Sequence, residues 1–137
     1  MTNKEQGGCL CGAIRYEADR SAVISGYCCY CSDCQKSTGG GYAAYVMLPQ
    51  NELKLIAGEL KTYRTTGSSG GHIQRSFCSD CGSPITSTSN IAPDFVFVKA
   101  GSFDDSNWIT LSSGYWKKSA RPWAMPDGSI PIADENT

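Results

Sequence analysis

The stretch from Tyr27 to Gly41 reads YCCYCSDCQKSTGGG and holds four of the chain's eight cysteines within seven residues. Cys29, Cys31 and Cys34 combine a CxC and a CxxC spacing, which lets one turn present three thiolates to a single metal ion. Adjacent side chains of an extended strand point to opposite faces, so only one of Cys28 and Cys29 can face that ion. We therefore expect Cys29 to bind the metal and Cys28 to be a buried neighbour.

Three protein ligands leave one coordination position of a zinc ion open, which is typical of a catalytic site. Alternatively, Cys28 or a partner subunit supplies a fourth ligand, and the cluster is a second structural site. Three thiolates and Zn²⁺ together carry one negative charge, so the ion is a weak Lewis acid that suits a soft ligand such as a substrate thiol. This composition favours carbon–sulfur chemistry over hydrolysis.

The other four cysteines form two pairs, each followed by glycine: Cys9 with Cys11, and Cys78 with Cys81. A glycine allows the left-handed turn that points backbone amides at buried sulfurs. The two pairs together predict a closed four-thiolate zinc site that contributes to the folding free energy. Grouped cysteines fit metal binding better than a disulfide framework, and iron is the alternative metal for a four-sulfur site.

Length and charge exclude several classes of protein. The chain has 137 residues, a net charge of −1 and 18% charged residues, which predicts a single domain over residues 1–137. The balanced charge argues against a nucleic-acid partner. No apolar run has the length of a membrane span and no signal-peptide core is present, so a cytoplasmic protein without membrane contact is expected.

The hydrophobic pattern predicts a mainly β fold with one short helix after the second cysteine cluster. The helix is expected over Ser32–Thr38, with Ser32 or Asp33 as its N-cap and Gly39 at its end. Ser68–Gly71 reads as a hairpin tip. Alternating apolar residues predict strands at Ala13–Ala18, Ala43–Leu48, Leu53–Ile56, Leu60–Thr65, Ile73–Phe77, Ile85–Ser89 and Phe95–Lys99.

Several other residues have a functional and a structural interpretation. Gly39–Gly41 is interpreted as a side-chain-free wall for a substrate, as a helix stop and turn, or as both. Lys36 and Arg75 are either partners of a substrate carboxylate or solvated charges. His72 is assigned no role, and Asp104–Asp105 is expected to shape a turn. The three tryptophans are interpreted as lining a pocket or forming a protein-binding face, and the alternative is that at least one belongs to the core. They are Trp108, Trp116 and Trp123.

The ordered motifs of the chain resemble one known family, the glutathione-dependent formaldehyde-activating enzymes, which share a domain with centromere protein V. The resemblance covers about residues 8–131. The motifs that carry it are GGCLCGAIRYE, CYCSDCQKSTGG, GELKTYRTTGSSG, QRSFCSDCGSPI, VKAGSFDD and RPWAMPDGSIP. The chain differs from the usual family pattern at Tyr30, Gln35 and Gly114.

The resemblance implies small coiled β-sheets in a zinc-stapled β-tent arrangement with two zinc ions per chain. It implies a catalytic zinc on Cys29, Cys31 and Cys34, and a structural zinc on Cys9, Cys11, Cys78 and Cys81. The implied reaction adds glutathione to formaldehyde, a carbon–sulfur lyase chemistry whose partners are a small thiol and an aldehyde. A homo-oligomer is compatible with this assignment. The alternative function is a non-catalytic zinc-stabilised scaffold that binds a ligand or a protein.

Overall fold

The computed structural model describes residues 3–67 and 70–136, and within them the chain forms ten β-strands and one α-helix. The mainly β prediction is confirmed. The helix α1 spans Ser32–Thr38. The strands are β1 (Lys4–Gly8), β2 (Arg15–Asp19), β3 (Ser25–Cys29), β4 (Ala43–Pro49), β5 (Leu53–Ala57), β6 (Leu60–Thr66), β7 (His72–Cys78), β8 (Pro84–Ser89), β9 (Phe95–Lys99) and β10 (Ser113–Tyr115).

The strands form two sheets. The smaller sheet has the order β1-β2-β5, and the larger has the order β10-β3-β4-β9-β8-β7-β6. Neighbouring strands are antiparallel except β10, which runs parallel to β3. One apolar core lies between the sheets, because buried residues of β2, such as Tyr16 and Ala18, pack with Val46, Leu48 and Val98 of the larger sheet.

Strand β4 of the larger sheet has buried residues on both faces, and this arrangement positions the second cysteine cluster. Along β4, Val46 and Leu48 point into the core between the sheets, whereas Ala43 and Tyr45 point to the opposite face. Cys29 and Cys34 pack on that opposite face. The strand alternation therefore separates the main core from the candidate site.

Three strands lack the alternation that predicts a strand from sequence. β1 reads KEQGG, β3 reads SGYCC and β10 has three residues. The strand predicted to begin at Ala13 begins at Arg15, because the Ile14 amide turns toward the sulfur of Cys9. Of the predicted hairpin tip, Ser68 and Ser69 lie outside the described residues, and the flanking strands β6 and β7 pair as a hairpin.

Helix α1 has the predicted bounds but a different N-cap. Gly39 ends it in the left-handed conformation with φ of 76°. The N-cap is Cys31 rather than Ser32 or Asp33, because the Cys31 sulfur accepts a hydrogen bond from the amide of Cys34 at 3.3 Å. A residue proposed to bind metal therefore also begins the helix. No helix of the described chain is long and apolar enough to cross a membrane.

Candidate metal centres

The first cysteine cluster joins two hairpin turns, one from each sheet. Cys9 and Cys11 lie between β1 and β2, and Cys78 and Cys81 lie at the turn between β7 and β8. All four sulfurs lie within 4.8 Å of one another. The Cys9–Cys11 sulfur distance is 3.6 Å and the Cys11–Cys78 distance is 3.8 Å. A zinc ion with four bonds of about 2.3 Å to sulfur requires separations of about 3.8 Å, so the donor set fits zinc.

Each pair in this cluster depends on a left-handed glycine. Gly12 has φ of 84° and Gly82 has φ of 79°. The Gly12 amide donates to the carbonyl of Cys9 and the Gly82 amide donates to that of Cys78, so both turns close on their own first cysteine. Residues with a Cβ rarely adopt this conformation, which explains why glycine follows each pair.

Neighbouring polar groups donate hydrogen bonds to these sulfurs. The Ile14 amide donates to the Cys9 sulfur at 3.2 Å. The Ser83 hydroxyl lies 3.2 Å from the sulfur of Cys81, and the hydroxyl and amide of Ser83 lower the pKa of Cys81 to about 5. Donors of this kind stabilise the thiolate form that a metal requires.

The second cluster comes from one local segment on the outer face of the larger sheet. Cys29 ends β3, Cys31 caps α1 and Cys34 lies in the first turn of that helix. Their three sulfurs lie within 4.8 Å of one another. Cys29 and Cys34 are buried and Cys31 is half-buried, so the cluster is most accessible on the Cys31 side.

Cys28 lies apart from this cluster. Its sulfur points across the sheet toward the carbonyl of Ser113, at 3.7 Å, as the alternation along β3 requires. Within residues 3–67 and 70–136, no fourth cysteine, histidine or carboxylate joins the three sulfurs. The described chain therefore offers three ligands at this site, and four at the first.

In the second cluster, ionisation of one thiol disfavours ionisation of the other two. Hydrogen bonds with Cys29 and Cys31 hold the pKa of Cys34 far below its usual range. A hydrogen bond with Tyr45 and the positive charge of Arg75 lower the same pKa further. Hydrogen bonding with Cys31 and Cys34, together with burial, raises the pKa of Cys29. One thiolate forms at the expense of its neighbours, because like charges at this separation repel. Such a set is chemically suited to enclose a metal cation.

Tyr45 connects this cluster to two cationic side chains. Its hydroxyl lies 3.2 Å from the Cys34 sulfur, 3.1 Å from Lys99 Nζ and 3.4 Å from Arg75 Nη1. Lysine and arginine can only donate, so the Tyr45 oxygen accepts from both and its single proton points to Cys34. Arg75 Nη1 also lies 4.0 Å from the same sulfur. Tyr45 and Arg75 thus stabilise negative charge on Cys34.

A comparison with protein families identifies the family to which this chain belongs. The family model described as glutathione-dependent formaldehyde-activating enzyme matches residues 4–119. The chain belongs to this family. A crystal structure of a Rhodobacter sphaeroides protein is similar over 93% of this chain and 98% of that chain, with a TM-score of 0.60 and 19% sequence identity. This second likeness supports the fold.

The departures from the formaldehyde-activating family pattern have structural explanations. Gln35 donates from Nε2 to the carbonyls of Tyr30 and Ser119 at 2.7 and 2.9 Å, so it ties the cysteine segment to the C-terminal segment. Gly114 has no room for a side chain, because an added Cβ would lie 2.9 Å from the sulfur of Cys28. The buried Tyr30 ring packs against an aromatic neighbour rather than contacting the three sulfurs.

The three tryptophans occupy different environments. Trp108 packs against the main core, and Trp116 packs against the second cluster with a left-handed backbone, φ 64°. Trp123 is exposed and lies over Gly41, where an added Cβ would meet the side chain of Ala124 at 2.3 Å. The C-terminal segment therefore covers Gly41, which does not form an open wall for a substrate.

The structure separates the candidate charged residues predicted from sequence. Arg75 lies at the second cluster, whereas Lys36 is exposed on α1. Asp105 shapes a turn by accepting from the amide of Asn107 at 2.9 Å, as predicted. Sequence reasoning missed Lys99, although the alternation of the Phe95–Lys99 strand places it on the face of Phe97 and thus of the cluster.

A groove of about 230 Å³ lies beside the second cluster and is lined by residues that include Ser37, Tyr63, Arg75, Phe77 and Lys99. Another groove of about 240 Å³ is lined by residues that include His72 and Arg64. The residues of β7 alternate, so His72 and Arg75 belong to opposite faces of the sheet. The groove at Arg75 is therefore the one connected to the cysteine chemistry.

Proposed function

We propose that this chain is a zinc-dependent enzyme of the carbon–sulfur lyase type that adds glutathione or a similar thiol to formaldehyde or a related aldehyde. The observation that carries the proposal is the three-sulfur cluster of Cys29, Cys31 and Cys34, which has no fourth ligand among the described residues. Membership of the formaldehyde-activating family supports the same reaction class. The four-sulfur cluster is proposed to be the structural zinc site.

The cysteines of the second cluster would supply three thiolates and leave one position for a substrate. A zinc ion bound there would lower the pKa of the substrate thiol and hold its sulfur as the nucleophile. The substrate sulfur forms a bond to the aldehyde carbon, and the carbonyl electron pair moves to oxygen, which takes up a proton. The thiol proton is released, so the addition needs no oxidant or reductant.

The residues around the cluster would orient the ligands and limit water. Tyr45 donates to the Cys34 sulfur and so holds it in one orientation. Cys29 and Cys34 are buried, which leaves the half-buried Cys31 side for the approach of the aldehyde. A partly dry site strengthens the attraction between Arg75 and the negative sulfurs. These residues position the reacting atoms rather than exchange protons with them.

The test is the rate of exchange between free formaldehyde and S-hydroxymethylglutathione, measured by NMR exchange spectroscopy on metal-loaded protein. We expect wild type to accelerate the exchange above its spontaneous rate and Cys31→Ala to lose at least about 100-fold of that acceleration, as expected when a catalytic ligand is removed. Cys28→Ala is the matched control, since the Cys28 sulfur lies on the other face of the sheet, and it should retain the rate. Equal rates for wild type and Cys31→Ala would refute the proposed reaction.

A further inference from the structure

Two positive side chains lie beside the second cluster, and neither has a carboxylate partner in the part of the chain that the structure describes. Lys99 is 8% exposed and Arg75 is half-buried, and both line the groove of about 230 Å³. The ion pairs of the described residues involve other cations: Lys4, Arg15, Arg20 and Lys118. Buried charges are costly unless they are paired. A buried lysine beside a half-buried arginine, with no carboxylate next to them among the described residues, therefore requires an explanation.

The hydrogen bonds of these two residues leave donors free. Arg75 uses Nη1 for Cys34, Ser37 and Tyr45, and no described residue accepts from its Nε or Nη2. Lys99 Nζ donates to Tyr45, although an ammonium group has three protons. The free edge of a guanidinium group matches the two oxygens of a carboxylate, and a neighbouring ammonium adds a third donor.

While its fourth position is empty, the cluster does not balance both cations. Three thiolates and one zinc ion carry one negative charge together, so in that state Arg75 and Lys99 leave one positive charge unbalanced beside the site. The hydroxyl of Tyr45 brings the two cations together, because both donate to the same oxygen. The two positive charges therefore lie together, next to the groove and beside the cluster.

We propose that Arg75 and Lys99 bind a carboxylate of the thiol substrate, so that the site selects thiols that carry a carboxylate a few bonds from the sulfur. This inference rests on the proposed function, because it assumes that a thiol occupies the open position of the cluster. Arg75 Nη1 lies 4.0 Å from the Cys34 sulfur, so the guanidinium group is next to the cluster, and its Nε and Nη2 donors remain for a carboxylate. Arg75 and Lys99 are then specificity residues.

The experiment compares two matched thiols, 3-mercaptopropionate and the uncharged 3-mercapto-1-propanol, by isothermal titration calorimetry on metal-loaded protein near pH 7. We expect wild type to bind the acid at least about tenfold more tightly than the alcohol, as the loss of a charge-assisted hydrogen bond implies. Arg75→Gln and Lys99→Met should each reduce this preference by about tenfold. Lys36→Met removes an exposed charge from α1 and should preserve it.

The results distinguish this inference from the proposed reaction. Equal affinities for the two thiols in wild type, or an unchanged preference in both groove variants, would overturn the carboxylate site. If neither thiol binds, both proposals are wrong. If the acid is preferred but formaldehyde exchange is not accelerated, the carboxylate site stands and the reaction is refuted. Should Arg75→Gln fail to fold, Lys99→Met provides the same test, since loss of its buried charge removes a desolvation cost.

Discussion

Lys99 is a buried lysine whose ammonium group lies next to Tyr45, beside the second cluster. Burial lowers its pKa to about 8, although the nearby sulfur of Cys34 acts in the opposite direction and Arg75 adds to the lowering. Its ammonium group also lies over the ring of Tyr45, 4.2 Å from the centroid, which recovers part of the lost hydration. A residue with this cost to stability is typical of a functional site.

The pH dependence of stability should report this cost. The pKa of Lys99 is lower in the folded state, about 8, than the ordinary lysine value of 10.5, so the unfolded chain binds more protons between these values and stability rises with pH across that window. Below about pH 8 the full penalty is present. Urea unfolding should therefore show Lys99→Met to be more stable than wild type near pH 7, by up to about 3 kcal/mol.

The advantage of Lys99→Met should shrink as the pH approaches 10.5, since the wild-type lysine is then neutral in both states. Both proteins carry the same cysteines, so the difference between them reports on the removal of Lys99. Lys36→Met serves as the control and should show no such trend, because Lys36 is exposed. A stability difference between Lys99→Met and wild type that is independent of pH would contradict the assigned cause.

At the scale of elements, the turns of the first cluster carry the proposed metal ligands. The β1–β2 and β7–β8 turns each place a cysteine pair before a left-handed glycine, Gly12 or Gly82. Neither glycine would bring an added Cβ within 4 Å of another group. The requirement for glycine is therefore one of backbone conformation and not of space.

Gly82→Ala should lower the free energy of unfolding by about 1 kcal/mol, since alanine is disfavoured in the left-handed region. Gly101→Ala is the matched control. An added Cβ at Gly101 also meets nothing within 4 Å, and its φ lies outside the left-handed region. The control should be unchanged or slightly more stable. Urea unfolding of the metal-loaded proteins measures both, and equal effects of the two substitutions would show that conformation is not the reason for Gly82.

At the scale of the whole molecule, the two clusters differ in how far apart in the chain their cysteines lie. The first connects the turn after β1 in the smaller sheet to the turn after β7 in the larger sheet, and Cys9 and Cys78 belong to the main core. The second draws its three ligands from residues 29–34 alone. Loss of the first should therefore affect folding, and loss of the second should have a local effect.

Metal analysis by mass spectrometry tests this difference. We expect two zinc ions per chain in wild type and in Cys28→Ala, and one in Cys34→Ala with the fold intact by circular dichroism. Cys81→Ala should be largely insoluble, because the link between the sheets is lost. A Cys34→Ala chain that loses both metals or unfolds would contradict the local role of the second cluster, and a soluble Cys81→Ala chain with native structure would contradict the structural role of the first.

The sequence by itself determined the two cysteine groups, helix α1, the mainly β class and the family. These features are encoded over short distances: the spacing of Cys29, Cys31 and Cys34 brings them together within one turn, and alternation marks strands such as Phe95–Lys99. Local geometry follows from bond lengths and backbone angles, so neighbouring residues are sufficient to predict it.

Only the tertiary structure decided which distant groups surround the second cluster. Lys99, Tyr45 and Arg75 come from strands β9, β4 and β7, and their side chains meet because those strands pair in one sheet. Strands β3 and β10 likewise exist through their pairing, and Gly114 is required by its contact with Cys28. Such contacts depend on the packing of segments far apart in the chain, and no local pattern of residues encodes that packing.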